Sequence, residues 1–518
     1  IESTNLKEEL SNFFDENPNL LITENKCFFP FLKIITRSIF GFLIRKSYTK
    51  VSNFDRIEHR NEMFIKSVKK EEKKLDNFIT LRQLSFGSSS IPYLVLDIEK
   101  EELFVSKSFD LNCYESEKLF DREKNDYLSI HHPFLAQFYG TLPRNDCETL
   151  LIEFINGSTL KSIQKLKLNE TKKIKIILSI LIVIQYLHFQ NFIYRDLKPN
   201  NLVIDKNDDV VLIDFDRMIK NTEENTGFQS THDFGHPYAA PELNISSIIT
   251  EKVDIYSIGL LIYFIINEKE PKNNSMNEFK PKFLKLKELC EKCINEKPEE
   301  RPTISEVIHD FIFHFLIEIY QDTSFLKTDN YLVDILEKNI EFSEKGCNDA
   351  EALYTLGLIY LKGIFVEQNI KKAFDYFLFA SELNHPKAQV ELGIIYTKGI
   401  DNIIKIDFDS AILYFNLASI QNYSYGYFYL GSIHFYEEFK QRENNIGLYY
   451  LNLASKLNNS KALLNLGLLY LSENSIVDQD ITKAVNYLTQ AANQGQIKAQ
   501  YNLGILYING EFIKQNIV

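Results

Sequence analysis

Tyr194-Arg195-Asp196-Leu197-Lys198-Pro199-Asn200-Asn201-Leu202 sets a carboxylate, a cation and an amide within six residues of one another. Before it runs the apolar stretch Ile174 to His188, and after it comes Val210-Val211-Leu212-Ile213, leading into Asp214-Phe215-Asp216. The first run reads as a core helix, since lysines interrupt its start and it is short for a bilayer. Phosphoryl transfer needs a carboxylate near the attacking hydroxyl, a cation on the γ-phosphate and oxygen ligands for a metal. Mg²⁺ is hard and keeps waters, so one carboxylate and one amide oxygen suffice to hold it against phosphates. Asp196, Lys198, Asn201 and Asp214 supply those groups on two adjacent loops.

The segment resembles the catalytic loop and metal-binding motif of eukaryotic protein kinases, with its two aspartates 18 residues apart. The resemblance implies that Asp196 orients the substrate hydroxyl and accepts its proton, that Lys198 screens the γ-phosphate, and that Asn201 and Asp214 bind Mg²⁺. Asp196-x-Lys198 is also the form typical of Ser/Thr-directed members. Upstream, Val105-Ser106-Lys107 matches the strand that carries the ATP-contacting lysine. Its expected partner is Glu123 rather than Glu115 or Glu117, because Glu123 stands ten residues before the proline of His131-His132-Pro133-Phe134.

Leu84-Ser85-Phe86-Gly87-Ser88-Ser89-Ser90-Ile91-Pro92 occupies the place of the nucleotide-covering loop, with Pro92 15 residues before Lys107. Only Gly87 survives of the three glycines, and Ser85 and Ser90 stand at the others. Serine lacks glycine's freedom at φ > 0 but still offers N–H groups and a hydroxyl to phosphate. Pro92 removes a strand donor, so altered ATP binding is implied. Leu150-Leu151-Ile152-Glu153-Phe154-Ile155-Asn156-Gly157 resembles the strand and hinge between lobes, with Ile152 as gatekeeper and the backbones of Glu153 and Ile155 bonding adenine. Downstream, the same resemblance implies that Ala240-Pro241-Glu242 ends the activation segment, that Asp254 braces the catalytic-loop backbone, and that Arg301 pairs with Glu242.

Three features depart from the family or bear on its control. Asp216 stands where the metal motif carries glycine, which restricts the backbone there and adds a carboxylate. Phe234-Gly235-His236-Pro237-Tyr238 replaces Gly-Thr-Pro-x-Tyr, and the histidine, with no ligand-spaced partner, reads as a packing or hydrogen-bonding group. Arg195 before the catalytic aspartate implies activation by phosphate on Thr226, Ser230 or Thr231, with Thr231 favoured; a phosphate adds charge and acceptors that an arginine grips.

From about residue 348 the text repeats. Ala352/Leu356/Gly357/Tyr360 returns as Ala388/Leu392/Gly393/Tyr396, Gly426/Leu430/Gly431/His434, Ala462/Leu466/Gly467/Tyr470 and Ala499/Leu503/Gly504/Tyr507, at intervals of 36, 38, 36 and 37 residues. Between them lies a second pattern, Ala373/Tyr376/Phe377/Ala380 and its copies. Spacings of three, four and seven place these residues on one helix face. A helix pair of this size cannot bury that face alone, so neighbours must stack into a solenoid. The block resembles Sel1-like repeats, relatives of the tetratricopeptide class.

The 518 residues hold 58 basic and 71 acidic side chains, a net charge of −13, which argues against nucleic acid or an anionic membrane as the main partner. The six cysteines form no framework; Cys290 and Cys293 read as two thiols on one helix face, and a reducing, cytoplasmic setting follows as the expectation. The run Cys27 to Ile44 is broken by Pro30, Lys33 and Arg37 and does not read as a membrane span. The chain starts without methionine and its last repeat is cut short, the pattern expected of a fragment or processed product.

The expected architecture is therefore an α+β two-lobed protein kinase fold plus a C-terminal all-α solenoid. Its expected segments are residues 1–75 (helical, role unknown), 76–316 (kinase domain), 317–347 (linker and capping helices) and 348–518 (Sel1-like repeats). ATP and Mg²⁺ are the implied cofactors, a protein substrate and a partner protein on the repeats the implied partners. Two other readings stay open: a nucleotide-binding pseudokinase, favoured by the Ser-rich loop and Asp216, and a scaffold whose repeats do the work.

Overall fold

A computed structural model describes residues 78–509, apart from 85–90, 98–101, 111–113, 145–146, 167, 206–208, 222–235, 245–248, 272–278, 280–282, 317–329, 342–347, 401–403, 436–438, 440–442 and 473–476. The expectations for residues 1–75, for Ser85, Gly87 and Ser90, and for Thr226, Ser230, Thr231 and Gly235 lie outside the described residues. The chain divides into two compact units, one ending at Ile308 and the other starting at His309. No helix of the described residues is long and apolar enough to cross a membrane.

The first unit opens with an antiparallel sheet in the order β1-β2-β3-β5-β4, formed by β1 (Phe78–Gln83), β2 (Ile91–Asp97), β3 (Glu102–Asp110), β4 (Phe138–Arg144) and β5 (Cys147–Glu153). Side chains alternate across a strand. Phe104 of β3 therefore packs on one face with Val95, Leu142 and Leu151, while Lys107 and Phe109 turn to the other. That second face meets helix α1 (Tyr114–Ser129) through Phe109 against Phe120, with ring centroids 5.6 Å apart. Phe120, Glu123 and Tyr127 recur at helical spacing and are all buried. One apolar face thus carries a carboxylate towards the lysine strand.

Helix α2 (Glu170–Phe189) is buried from Ile174 to Phe189 with one intermediate exception at Lys175, and Asn169 caps it by accepting the Lys172 N–H at 2.9 Å. Helix α3 (Lys252–Asn267) is equally enclosed. The short strands β6 (Gly157–Thr159), β8 (Leu202–Asp205) and β9 (Val210–Leu212) form one sheet, and β7 (Phe192–Ile193) pairs with β10 (Ile219–Lys220). The β8–β9 hairpin matters most for chemistry. Its register, Leu202 opposite Leu212, together with Ile213 N–H donating to the Asn201 carbonyl at 2.9 Å, brings residues 201 and 214 alongside.

The second unit is built from helix pairs, beginning at Ala350–Lys362 with Ile370–Glu382 and ending at Ile497–Asn509. Each second helix stops by the same device. His385, Tyr423, Asn459 and Gln496 donate their N–H back to the carbonyls of Ala380, Ala418, Ala454 and Ala491 at 3.0, 3.2, 3.1 and 3.1 Å. The residue before each donor is left-handed: Asn384, Asn422, Asn458 and Gly495, at φ 61°, 58°, 56° and 79°. Asn and Gly are the residues that tolerate this conformation, and the bonds satisfy carbonyls that a helix end leaves open.

The repeat glycines serve close approach. A Cβ at Gly393 would stand 2.3 Å from the Phe415 ring, and one at Gly357 2.5 Å from Phe377, whereas at Gly504 it would meet nothing within 4 Å. Gly393→Ala should therefore cost about 1–3 kcal/mol through overpacking. Gly504→Ala should cost nothing and gain up to about 1 kcal/mol from helix propensity. Urea midpoints followed by far-UV circular dichroism check this; equal losses in the two variants would contradict the packing described.

Candidate active site

Lys107 reaches through β3 into the interior, where a bare ammonium is costly. Its Nζ donates to Glu123 of α1 at 2.8 and 3.0 Å and to Asp214 Oδ1 at 2.9 Å. Lys107 and Glu123 are almost wholly buried, but the Asp214 side chain remains 39% exposed. Burial acts to lower the Lys107 pKa, yet the facing carboxylates of Asp214, Glu123 and Asp216 outweigh it and hold the ammonium well above its ordinary value. Burial pushes Glu123 up, with Lys107 opposing. Glu117 is exposed, and the side chain of Glu115 lies outside the described residues.

Asp196 lies on the loop between β7 and β8. Lys198 Nζ donates to its two oxygens at 2.8 and 2.7 Å, and Asn201 Nδ2 donates to Oδ2 at 2.9 Å. Nε2 of His236 stands 3.1 Å from Oδ1, and an Arg217 nitrogen 4.0 Å away. Burial alone would raise the Asp196 carboxyl; the close His236 imidazole and the Lys198 ammonium, with Arg217, override it and bring it down to about 2. Asp196 is thus a firmly ionised carboxylate.

The backbone around it is clamped from below. Asp254 of α3, wholly buried, accepts the N–H groups of Tyr194 at 2.9 Å and Arg195 at 2.8 Å and a contact from His188 Nε2 at 2.9 Å. These bonds hold Arg195 at φ 66°, a left-handed conformation that a residue with a Cβ adopts at a cost. Tyr194 Oη donates towards the carbonyls of Ile213 at 2.6 Å and Asp214 at 2.9 Å, tying this loop to the next. Phe215 is buried against Tyr127 of α1 and Tyr194, with ring centroids 4.6 and 6.3 Å away.

One carboxylate oxygen from each of Asp196, Asp214 and Asp216 falls within 4.8 Å of the others. Asn201 turns its amide nitrogen to Asp196, which leaves the amide oxygen as its metal-type donor. Such an all-oxygen set fits a hard divalent cation. At the other side of the cleft Ile152 and Ile155 are buried, and Glu153 N–H already donates to the Gln137 carbonyl at 2.8 Å. Leu84 N–H bonds the Pro92 carbonyl at 2.9 Å at the base of the loop holding Ser85, Gly87 and Ser90, which lie outside the described residues.

A family model described as protein kinase domain matches residues 78–318, and one described as Sel1 repeat matches 350–385, 386–423, 424–459, 460–496 and 497–518. The chain carries a protein kinase domain followed by five Sel1 repeats. It is 24% identical over 287 residues to the dual specificity protein kinase pyk3 of Dictyostelium discoideum, covering 52% of this chain and 20% of that protein. It is 27% identical over 238 residues to the protein kinase C-like 1 of Caenorhabditis elegans, covering 45% of this chain and 32% of that one. With the mitogen-activated protein kinase kinase 1 of Arabidopsis thaliana it shares 25% identity over 284 residues, 48% of this chain and 78% of the other. The chain therefore spans between a fifth and a third of the length of the first two relatives.

Within the kinase domain, Arg301 joins Glu242 through Nη2 and Oε2 at 3.0 Å, and it also donates to the carbonyl of Asn295 at 2.8 Å. Several contacts were not visible in the sequence: His236 on Asp196, His188 on Asp254, the Arg122 guanidinium on the Asp216 carbonyl, and the Tyr194 hydroxyl bridge. The last had a signal, because a buried tyrosine needs a partner for its hydroxyl. Burial, then the nearby Arg122 guanidinium, pulls Arg195 down to about 10 against the opposing charge of Asp254.

Asp254→Ala should strand two buried N–H donors, each costing about 1–3 kcal/mol. The expected result is a loss of about 3 kcal/mol and faster hydrogen–deuterium exchange at Tyr194 and Arg195. Unchanged exchange at those amides would contradict the clamp.

Proposed function

We propose that this chain transfers the γ-phosphate of ATP to Ser or Thr hydroxyls of protein substrates, while its repeats engage a partner protein. The observation that carries this reading is Lys107, 2.8 Å from Glu123 and 2.9 Å from Asp214, which joins the lysine strand, α1 and the metal motif in one buried cluster. In the proposed reaction Lys107 grips the α- and β-phosphates of ATP and Glu123 keeps its ammonium aimed. The backbones of Glu153 and Ile155 take the adenine edge; since the Glu153 N–H is engaged, its contribution is the carbonyl. Asn201 and Asp214 hold Mg²⁺, which when bound supplies charge neutralisation on the phosphate oxygens.

Asp196 orients the attacking hydroxyl. A carboxylate brought down to about 2 is a weak base, so it accepts the proton late, as the new P–O bond forms. Turning Lys198 from Asp196 to the γ-phosphate removes one of the charges that hold the carboxyl low, so Asp196 becomes more basic when needed. The Asp196-x-Lys198 form supports Ser/Thr hydroxyls as acceptors. Buried Arg195 beside Arg122 and Arg217, with Nη1 lacking a hydrogen-bond partner, supports control by a phosphate on the activation segment. Cys290 and Cys293 are buried thiols of one helix, which supports the proposed reducing, intracellular setting. Stacked helix pairs offer an extended face for a protein partner.

The test is transfer of labelled phosphate from Mg²⁺-ATP by the full chain, followed by phosphoamino-acid analysis. The wild type should yield phosphoserine and phosphothreonine, and Asp196→Asn should abolish the signal with the fold retained. Equal signals from the two chains would overturn the enzyme reading in favour of a pseudokinase.

A further inference from the structure

The proposed transfer accounts for Lys198 and Asn201 at Asp196, and it leaves one neighbour without a task. His236 is not on the catalytic loop. It comes 40 residues later, is 17% exposed, and sets Nε2 3.1 Å from Asp196 Oδ1. That oxygen has Lys198 at 2.8 Å and Arg217 at 4.0 Å as its cations. Lysine is a mobile charge on a four-carbon stem, and in the proposed reaction it leaves for the phosphate. The imidazole is a rigid ring, and neither of its buried nitrogens completes a hydrogen bond to the described residues, which leaves Nε2 open to that oxygen.

The two halves of this contact are fixed by one helix. On α3, Asp254 and Ser257 lie three residues apart on the same buried face. Asp254 holds the N–H groups of Tyr194 and Arg195, just before Asp196. Ser257 Oγ donates at 2.8 Å to the carbonyl of Tyr238, just after His236. The histidine's own backbone is tightened further: Ala239 N–H bonds its carbonyl at 3.0 Å, Pro237 fixes a φ angle, and the Tyr238 hydroxyl donates to Glu270 at 2.6 Å. A single rigid element therefore sets the distance between residues 196 and 236.

We propose that His236 is a positioning residue for the phosphoryl transfer, bringing its Nε2–H into line with the nearby Asp196 Oδ1 and holding the carboxylate plane when Lys198 turns away; the role rests on the function proposed above. Either the neutral Nε2–H tautomer or the doubly protonated ring makes this bond, so no change of charge is required. Losing it frees a buried carboxylate to rotate, and misplacement by about 1 Å can cost about a hundredfold in rate.

His236→Phe and His236→Gln separate positioning from packing, because the first keeps ring volume without a donor and the second keeps a donor near the same reach. Both are made in the full chain and assayed with Mg²⁺-ATP beside wild type and Asp196→Asn. His236→Phe should lower kcat about tenfold to a hundredfold, with KM for ATP little changed, and His236→Gln should recover most of the loss. Wild-type kcat in the Phe variant, or a Gln variant as slow as Phe, overturns the proposal while leaving the function intact. A wild type without Asp196-dependent transfer overturns the function and this role together.

Discussion

A lysine ammonium removed from water must find carboxylates or it will not stay charged, and that demand organises the first unit. Lys107 resolves it with Glu123 and Asp214, which belong to a helix and to a loop far apart in sequence. Removing one member of such a buried group leaves the others uncompensated, at about 3–5 kcal/mol. The arrangement is thus poorly explained as a stabilising device alone, since apolar side chains would fill the same space at lower cost. It makes sense where a triphosphate and its metal compete for the same charges. Asp214 is the exposed member of the group.

The second constraint is positional. Asp196 sits on a loop whose backbone includes a left-handed Arg195, and Asp254 holds that conformation by taking the N–H groups on either side of the turn. Tyr194 carries the order onward to the metal motif through its hydroxyl. Phe215 then packs against Tyr127, on the same helix as Glu123. The loops of Asp196 and Asp214 and the helix of Glu123 are in this way mechanically continuous. The repeats obey a different logic, in which backbone bonds to Ala380, Ala418, Ala454 and Ala491 and a left-handed Asn or Gly set the same turn four times.

Much of this was legible in the amino-acid sequence through the resemblance of the Asp196 and Asp214 loops to kinase motifs, with the spacing to Pro133 singling out Glu123. A lysine on an apolar strand, aspartates on adjacent loops and a glutamate on the intervening helix constrain one another strongly. The solenoid was legible in apolar form, since Ala, Gly and aromatic positions recur at helical spacing. The left-handed residues ending each helix pair carry a readable signal in Asn384, Asn422, Asn458 and Gly495, fainter than the Leu-Gly-x-x-Tyr pattern. The sequence marks His236 as a packing or hydrogen-bonding group in place of the family's Gly-Thr-Pro-x-Tyr, but not its approach to Asp196 Oδ1. That approach depends on where α3 places two backbone segments, and no local periodicity or composition encodes that distance.

The central claim is that the buried Lys107 cluster is a nucleotide site. Titration calorimetry of Mg²⁺-ATP into the wild type and into Lys107→Met, both checked for intact fold by circular dichroism, tests it most directly. The account predicts saturable binding by the wild type and a weakening of at least about tenfold, or about 1.4 kcal/mol, in the variant. Equal affinity in the two chains would contradict it.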